Sequence, residues 1–129
     1  MQDFQSLCQL RRSYRKYTDQ PVEQEKLDYI IRCALMSPAG KRMNPWHFVV
    51  IKNEAILRQL AGCRIYGSGM FDTAMAGIVV AADTSVIDTW QCDAAIAAQN
   101  IGLAAADQGL GACWGQVDQR EGAEDLVRK

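Results

Sequence analysis

The chain has one histidine, three prolines and no apolar run near the ~20 residues that a membrane-spanning helix needs. Its formal net charge is -1, from 14 Lys and Arg against 15 Asp and Glu. It therefore lacks the sustained basic surface by which nucleic acid or an anionic membrane is usually bound. No repeat, low-complexity tract or linker composition interrupts the 129 residues, and one domain spanning 1–129 is expected. The first residues, Met1 to Ser6, show neither a basic n-region nor an apolar h-region, so no secretory signal is read there.

The five cysteines, Cys8, Cys33, Cys63, Cys92 and Cys113, are odd in number and far apart in sequence. No histidine stands at ligand spacing from any of them. That pattern argues against a zinc site or a Cys-x-x-Cys redox pair and suits a reducing, cytoplasmic setting. Cys33 and Cys113 lie in apolar surroundings and read as small buried hydrophobes. His47, between Trp46 and Phe48 at an expected strand start, reads as structural or surface rather than as a proton carrier.

Periodicity predicts helices over 3–12 and 23–36, the second carrying Leu27, Ile30, Ile31, Ala34 and Leu35 at helical spacing. Ser37-Pro38-Ala39-Gly40 ends that helix. Residues 46–52 (WHFVVIK) and 77–82 (GIVVAA) read as strands, with a helix over 54–61 between them. Residues 66–71 (YGSGMF) read as an exposed loop. A helix over 93–108 is apolar nearly all round, so burial on most faces is expected, part of it against a second subunit. Asp93 reads as its N-cap, and Gln99 and Asn100 as interhelical or interface hydrogen-bonders. Gly109-Leu110-Gly111 ends the helix, Ala112 to Val117 reads as a short strand or extended segment, and a last helix is expected over 121–129. The alternation of helix and strand indicates an α+β or α/β sandwich.

The densest charge is Arg11-Arg12-Ser13-Tyr14-Arg15-Lys16. Guanidinium forks beside a serine hydroxyl are a phosphate-binding donor set. The same cations also suit a solvated helix end, where they complement the dipole. Both roles stand on this segment alone.

Two further segments decide between them. One is the loop Ser37-Pro38-Ala39-Gly40-Lys41-Arg42-Met43-Asn44-Pro45-Trp46-His47-Phe48; the other is the Ala-rich helix running into Gly109-Leu110-Gly111-Ala112-Cys113-Trp114-Gly115. In this order and spacing, the three segments resemble those of the flavin-dependent nitroreductase family, over essentially the whole chain. The resemblance implies an α+β, three-layer α/β/α sandwich around a central, mostly antiparallel sheet. It also implies FMN held at the interface of a homodimer. Arg11, Arg12 and Ser13 would meet the FMN phosphate and ribityl chain, and Arg15 the N1 and O2 edge of the flavin ring. A cation there favours the reduced, anionic flavin. Pro38, Ala39, Gly40, Arg42 and Asn44 would reach the same flavin from the other subunit. Trp114, Gly115 and Gln116 would line the ring near N5.

The implied activity is an NAD(P)H-dependent oxidoreductase. NADH or NADPH would deliver hydride to flavin N5, and a nitroaromatic, quinone or similar small acceptor would then take the electrons. No catalytic side chain and no metal is expected, because the chemistry would belong to the flavin. Some positions depart from the family loop: Ala39 and Gly40 stand where small polar residues are usual, Arg42 where Asn is usual and Asn44 where Gln is usual. The family's C-terminal strand, its G-Y-P-like segment and a late basic phosphate contact have no counterpart here, so a truncated sandwich is expected. Two alternatives follow from that: a catalytically silent dimer with weak or no flavin binding, and a non-redox binder of another nucleotide-like ligand.

Overall fold

In the computed structural model, residues 3–64, 67–120 and 123–128 are described. The elements are α1 (Phe4–Leu10), α2 (Gln24–Leu35), β1 (Trp46–Ile51), α3 (Glu54–Ala61), β2 (Gly77–Ala82), α4 (Trp90–Asp107) and α5 (Ala123–Arg128). Local chemistry sets several starts. The Asp3 carboxylate accepts the Ser6 N–H at 3.0 Å and opens α1, and Asn53 accepts the Ile56 N–H at 3.1 Å and opens α3. In α2, Leu27, Ile30 and Ala34 are buried at helical spacing and aim one stripe at the core.

β1 and β2 pair antiparallel, from Trp46 opposite Ala82 to Ile51 opposite Gly77. Alternation divides their side chains between two faces. Ile78 packs with Ile30, Ala104 and Ala105, the α2–α4 side of the sheet. Ile51 and Val79 line a groove with Leu60 of α3 and with Leu126 and Val127 of α5 on the other side. Helices thus cover both faces, as the α+β sandwich reading requires. A parallel bridge between Ser13 and Ala112 ties the charged N-terminal segment to the chain after α4.

Most expected elements form within a few residues of their predicted bounds, and several expectations change. Asp93 is not the N-cap of α4; the cap position is Thr89, and Asp93 lies inside the first turn. Of the two readings of 112–117, a short strand or an extended segment, the short strand does not form: the segment makes one bridge, at Ala112, and a Cβ on Gly115 would lie 3.1 Å from Met70 Cε. Within 67–71, Ser68 and Met70 are buried: the Ser68 hydroxyl donates to the Ala61 carbonyl at 2.7 Å and fastens the segment to α3. Tyr66 lies outside the described residues, as do 121, 122 and 129 of the last expected helix. Cys33 and Cys113 are only half-buried, and Cys63 is the buried thiol.

α4 is also less enclosed than its composition predicts. Ala97, Ala104 and Ala105 are buried, but Cys92, Ile96 and Gln99 are exposed, Ile96 by 40%. These three share one stripe of the helix. No described helix is long and apolar enough to cross a membrane.

Candidate functional site

The segment 11–16 leaves α1 in extended conformation: the Arg11 N–H still bonds the Leu7 carbonyl, and the chain then turns along the segment after α4. The Tyr14 N–H donates to the Ala112 carbonyl at 3.0 Å. Gly111 makes this approach possible, since a Cβ there would lie 2.8 Å from Cδ2 of Tyr14. The Arg11 stem lies over bare backbone at Gly102 of α4, where a Cβ would come 3.6 Å from Arg11 Cδ. Arg11 is half-buried, and Arg12, Ser13 and Arg15 are exposed. Among the described residues, no carboxylate forms an ion pair with Arg11, Arg12 or Arg15. Among the described residues, Arg15 donates to the Ser13 carbonyl alone, at 3.4 Å.

Tyr17 closes this corner. Its phenol donates to the Tyr14 carbonyl, and burial pushes it up to about 12, with Cys113 adding to the rise and Arg15 opposing it. The Ser13–Ala112 bridge and the bond from Tyr14 N–H to the Ala112 carbonyl bring the segments 11–16 and 112–116 into one neighbourhood. Trp114 is 55% exposed, while Gly115 and Gln116 are half-buried. The Gln116 carbonyl accepts from Arg64 at 3.2 Å, and its side chain donates to the Asp118 carbonyl at 3.2 Å. Asp118 in turn accepts from Gln91 near the start of α4 at 3.2 Å. No described residue accepts from the backbone N–H groups of Trp114, Gly115 or Gln116.

The third segment sits elsewhere. Ser37 is buried and its hydroxyl accepts from the Asn100 amide at 2.7 Å, so Asn100 bonds the loop after α2 and not another helix. The Gly40 N–H donates to the carboxylate of Asp93 at 3.1 Å. A Cβ on Gly40 would fall 2.4 Å from Thr89 Oγ1, so any larger residue there has to displace Thr89 or the loop. The loop beyond it holds three non-glycine residues with left-handed backbone: Lys41 (φ 51), Arg42 (φ 58) and Asn44 (φ 47). Such conformations cost energy and persist where the surroundings impose them, often at functional sites. Pro38, Arg42 and Asn44 are exposed and Ala39 is half-buried.

Helical geometry shows how the segments relate. At about 100° per residue, Gln91 and Gly102 lie within about 20° of each other on α4, and so do Asp93 and Asn100. Gly102 and Asp93 are about 180° apart by the same rule. Arg11 and the 116–118 segment therefore flank one face of α4, and Ser37 and Gly40 dock on the opposite face. The exposed stripe of Cys92, Ile96 and Gln99 runs between, roughly a quarter turn from each. One chain brings together Arg11, Arg12, Ser13, Arg15, Trp114, Gly115 and Gln116. It does not bring Pro38, Ala39, Gly40, Arg42 and Asn44 to them.

Asp93 is the residue that sequence reasoning undervalued. A carboxylate near the start of a helix expected to be buried on most faces was itself the signal, since a buried polar group needs partners. Trp46 is buried as expected, stacks on Phe48, and donates its indole N–H to the Asp93 carbonyl at 2.9 Å. His47 is exposed.

Comparison with known proteins bears on the family and the fold. A sequence model of the Nitroreductase family matches residues 9–63. A relative from Methanothermobacter thermautotrophicus, provisionally named an NADH dehydrogenase/NAD(P)H nitroreductase, is 38% identical over 122 residues, 92% of this chain but 63% of its own length. One of the same name from Archaeoglobus fulgidus is 33% identical across the whole chain and 76% of its own length. The structure of an FMN-dependent nitroreductase from Clostridium difficile R20291 superposes with a TM-score of 0.92 at 40% identity, covering 95% of this chain and 74% of that one. The chain belongs to the nitroreductase family.

Proposed function

We propose that the chain is an FMN-dependent NAD(P)H oxidoreductase that works as a homodimer, with each flavin held between two copies. The observation that carries this reading is the division of the three segments between opposite faces of α4. A two-fold partner seated on the Cys92, Ile96 and Gln99 stripe would carry its own Gly40 loop to the Arg11 face of the first copy. Neither half needs to cross its own helix.

The donor set fits the cofactor. Arg11, Arg12 and Ser13 offer charged forks and a hydroxyl with no described carboxylate competing for them, which suits a phosphate. Arg15 would stand by the N1 and O2 edge. The backbone N–H groups of Trp114, Gly115 and Gln116, from which no described residue accepts, suit the N5 edge, where one of them would donate to that atom. The partner's copy of Pro38, Ala39, Gly40, Arg42 and Asn44 would close the site. FMN, when bound, accepts hydride from NADH or NADPH and passes electrons to an acceptor such as a nitroaromatic or a quinone. The chain's own residues bind, orient and electrostatically bias the ring; no side chain is assigned a proton-transfer step. The free thiols support a reducing, cytoplasmic setting.

The test is flavin loading. Purified protein incubated with FMN should keep its yellow colour through gel filtration at dimer mass, and NADH or NADPH should bleach it without oxygen. A nitroaromatic or quinone should restore the colour. Protein that retains no FMN overturns this reading in favour of a silent dimer. FMN retained but reduced by neither nicotinamide favours a non-redox ligand site.

A further inference from the structure

We infer that Asp93 is a positioning residue that sets the shape of the 40–46 loop and thereby the loop's competence to close a flavin site on the partner copy; the second half rests on the reading above. Asp93 is 3% exposed, the one buried carboxylate among the described residues. It holds both ends of the loop. Its carboxylate accepts the Gly40 N–H at 3.1 Å at the start, and its carbonyl accepts the Trp46 indole N–H at 2.9 Å at the end. The Thr89 hydroxyl supports the second carboxylate oxygen at 3.4 Å, from the space a Cβ on Gly40 would take.

Between those two ties lie Lys41, Arg42 and Asn44 with positive φ. Nothing in their side chains favours that backbone in Lys or Arg, so it has to be imposed from outside. The internal bonds of the loop, Arg42 N–H to Ala39 and Met43 N–H to Gly40, define the turn but do not fix it to the rest of the molecule. Asp93 does. A carboxylate acceptor in the first turn of α4 also suits the positive end of the helix dipole.

Asp93→Ala removes the acceptor; Asp93→Asn keeps an oxygen for the Gly40 N–H and an amide that Thr89 can accept from. Gly40→Ala leaves Asp93 untouched and displaces the loop from the other side. Lys41 and Arg42 are exposed trypsin sites within the loop, so cleavage after them reads its order without any flavin. Relative to the unchanged chain, Asp93→Ala should speed cleavage there and weaken FMN binding, each by roughly tenfold or more, the loss expected of one charge-assisted hydrogen bond. Gly40→Ala should do the same, and Asp93→Asn should stay within roughly threefold on both measures. Cleavage elsewhere in the chain should not change, which separates a displaced loop from a loosened fold. If Asp93→Ala is insoluble, Gly40→Ala and Asp93→Asn carry the comparison.

Asp93→Ala or Gly40→Ala with unchanged cleavage after Lys41 and Arg42 overturns the inference. Asp93→Asn as impaired as Asp93→Ala overturns the hydrogen-bond assignment. An unchanged chain that takes up no FMN overturns the flavin reading, while the trypsin rates still decide whether Asp93 seats the loop.

Discussion

Ser13 and Ala112 form the only parallel bridge among the described residues, and through it the Tyr14 N–H meets the Ala112 carbonyl at 3.0 Å. That one contact joins segments a hundred residues apart in the chain and builds the cationic half of the site. Its weak point is Gly111. In Gly111→Ala the new Cβ meets the Tyr14 ring at 2.8 Å and pushes the two segments apart. We expect a loss of ~1 kcal/mol in urea unfolding, in the range for overpacking, with weaker FMN binding. Unchanged unfolding and binding together would contradict the contact.

Arg11→Ala separates phosphate binding from ring binding. FMN affinity should fall by about 10- to 150-fold, the range for losing a charged hydrogen-bond partner. Riboflavin, which has no phosphate, should lose far less. Fluorescence titration of both flavins checks this, and an equal loss for the two would move Arg11 away from the phosphate.

The Tyr29–Asp107 bond predicts a pH dependence. The phenol donates to the carboxylate at 2.6 Å, and this bond first, then burial, pushes Tyr29 up to about 12 from 10.0. A folded-state value above the unfolded one favours the protonated fold. The stabilisation is therefore fully present below pH 10 and is lost as pH rises through about 12. Tyr29→Phe should cost ~1 kcal/mol at neutral pH. The difference between it and the parent chain should shrink between those two pH values. Tyr17 titrates in the same range in both proteins and cancels in the comparison. A constant difference across that window would rule out the linkage.

How much of this was legible in the sequence follows from the range of the forces involved. The spacing of Leu27, Ile30 and Ala34, and the β-branched runs of β1 and β2, are local signals and matched the elements they predicted. The role of Asp93 was not local. Its carboxylate suits an N-cap in its own helix equally well, and only tertiary packing hands it the N–H of Gly40. The left-handed backbone at Lys41 and Arg42 was illegible for the same reason, since neither residue type signals it. The Ala112 to Val117 segment had strand composition but no strand beside it beyond Ser13. The three site segments could be picked out by motif, but their placement on opposite faces of α4 required the fold.

Arg58 tests packing outside the site. Its Nη1 donates to the carbonyls of Phe71 and Ala74, both at 2.8 Å, and ties α3 to the turn that supports Gly115. Arg58→Ala should destabilise by ~2 kcal/mol through those two bonds. Glu54→Ala, which removes only the surface ion pair at 3.4 Å, should change stability by less than ~0.5 kcal/mol. Equal effects in urea unfolding would mean the carbonyl contacts contribute little.

The division of the site between two copies is tested most directly by complementation. Arg11→Ala damages the cationic half and Gly40→Ala the loop half, so each variant alone should bind FMN weakly. When the two are unfolded together and refolded, half the dimers should be mixed, and each mixed dimer regains one intact site. Tight FMN binding should then return to about a quarter of all sites, as two-fold symmetry requires. A mixture that binds no better than its components would place both halves of the site in one chain and contradict the account.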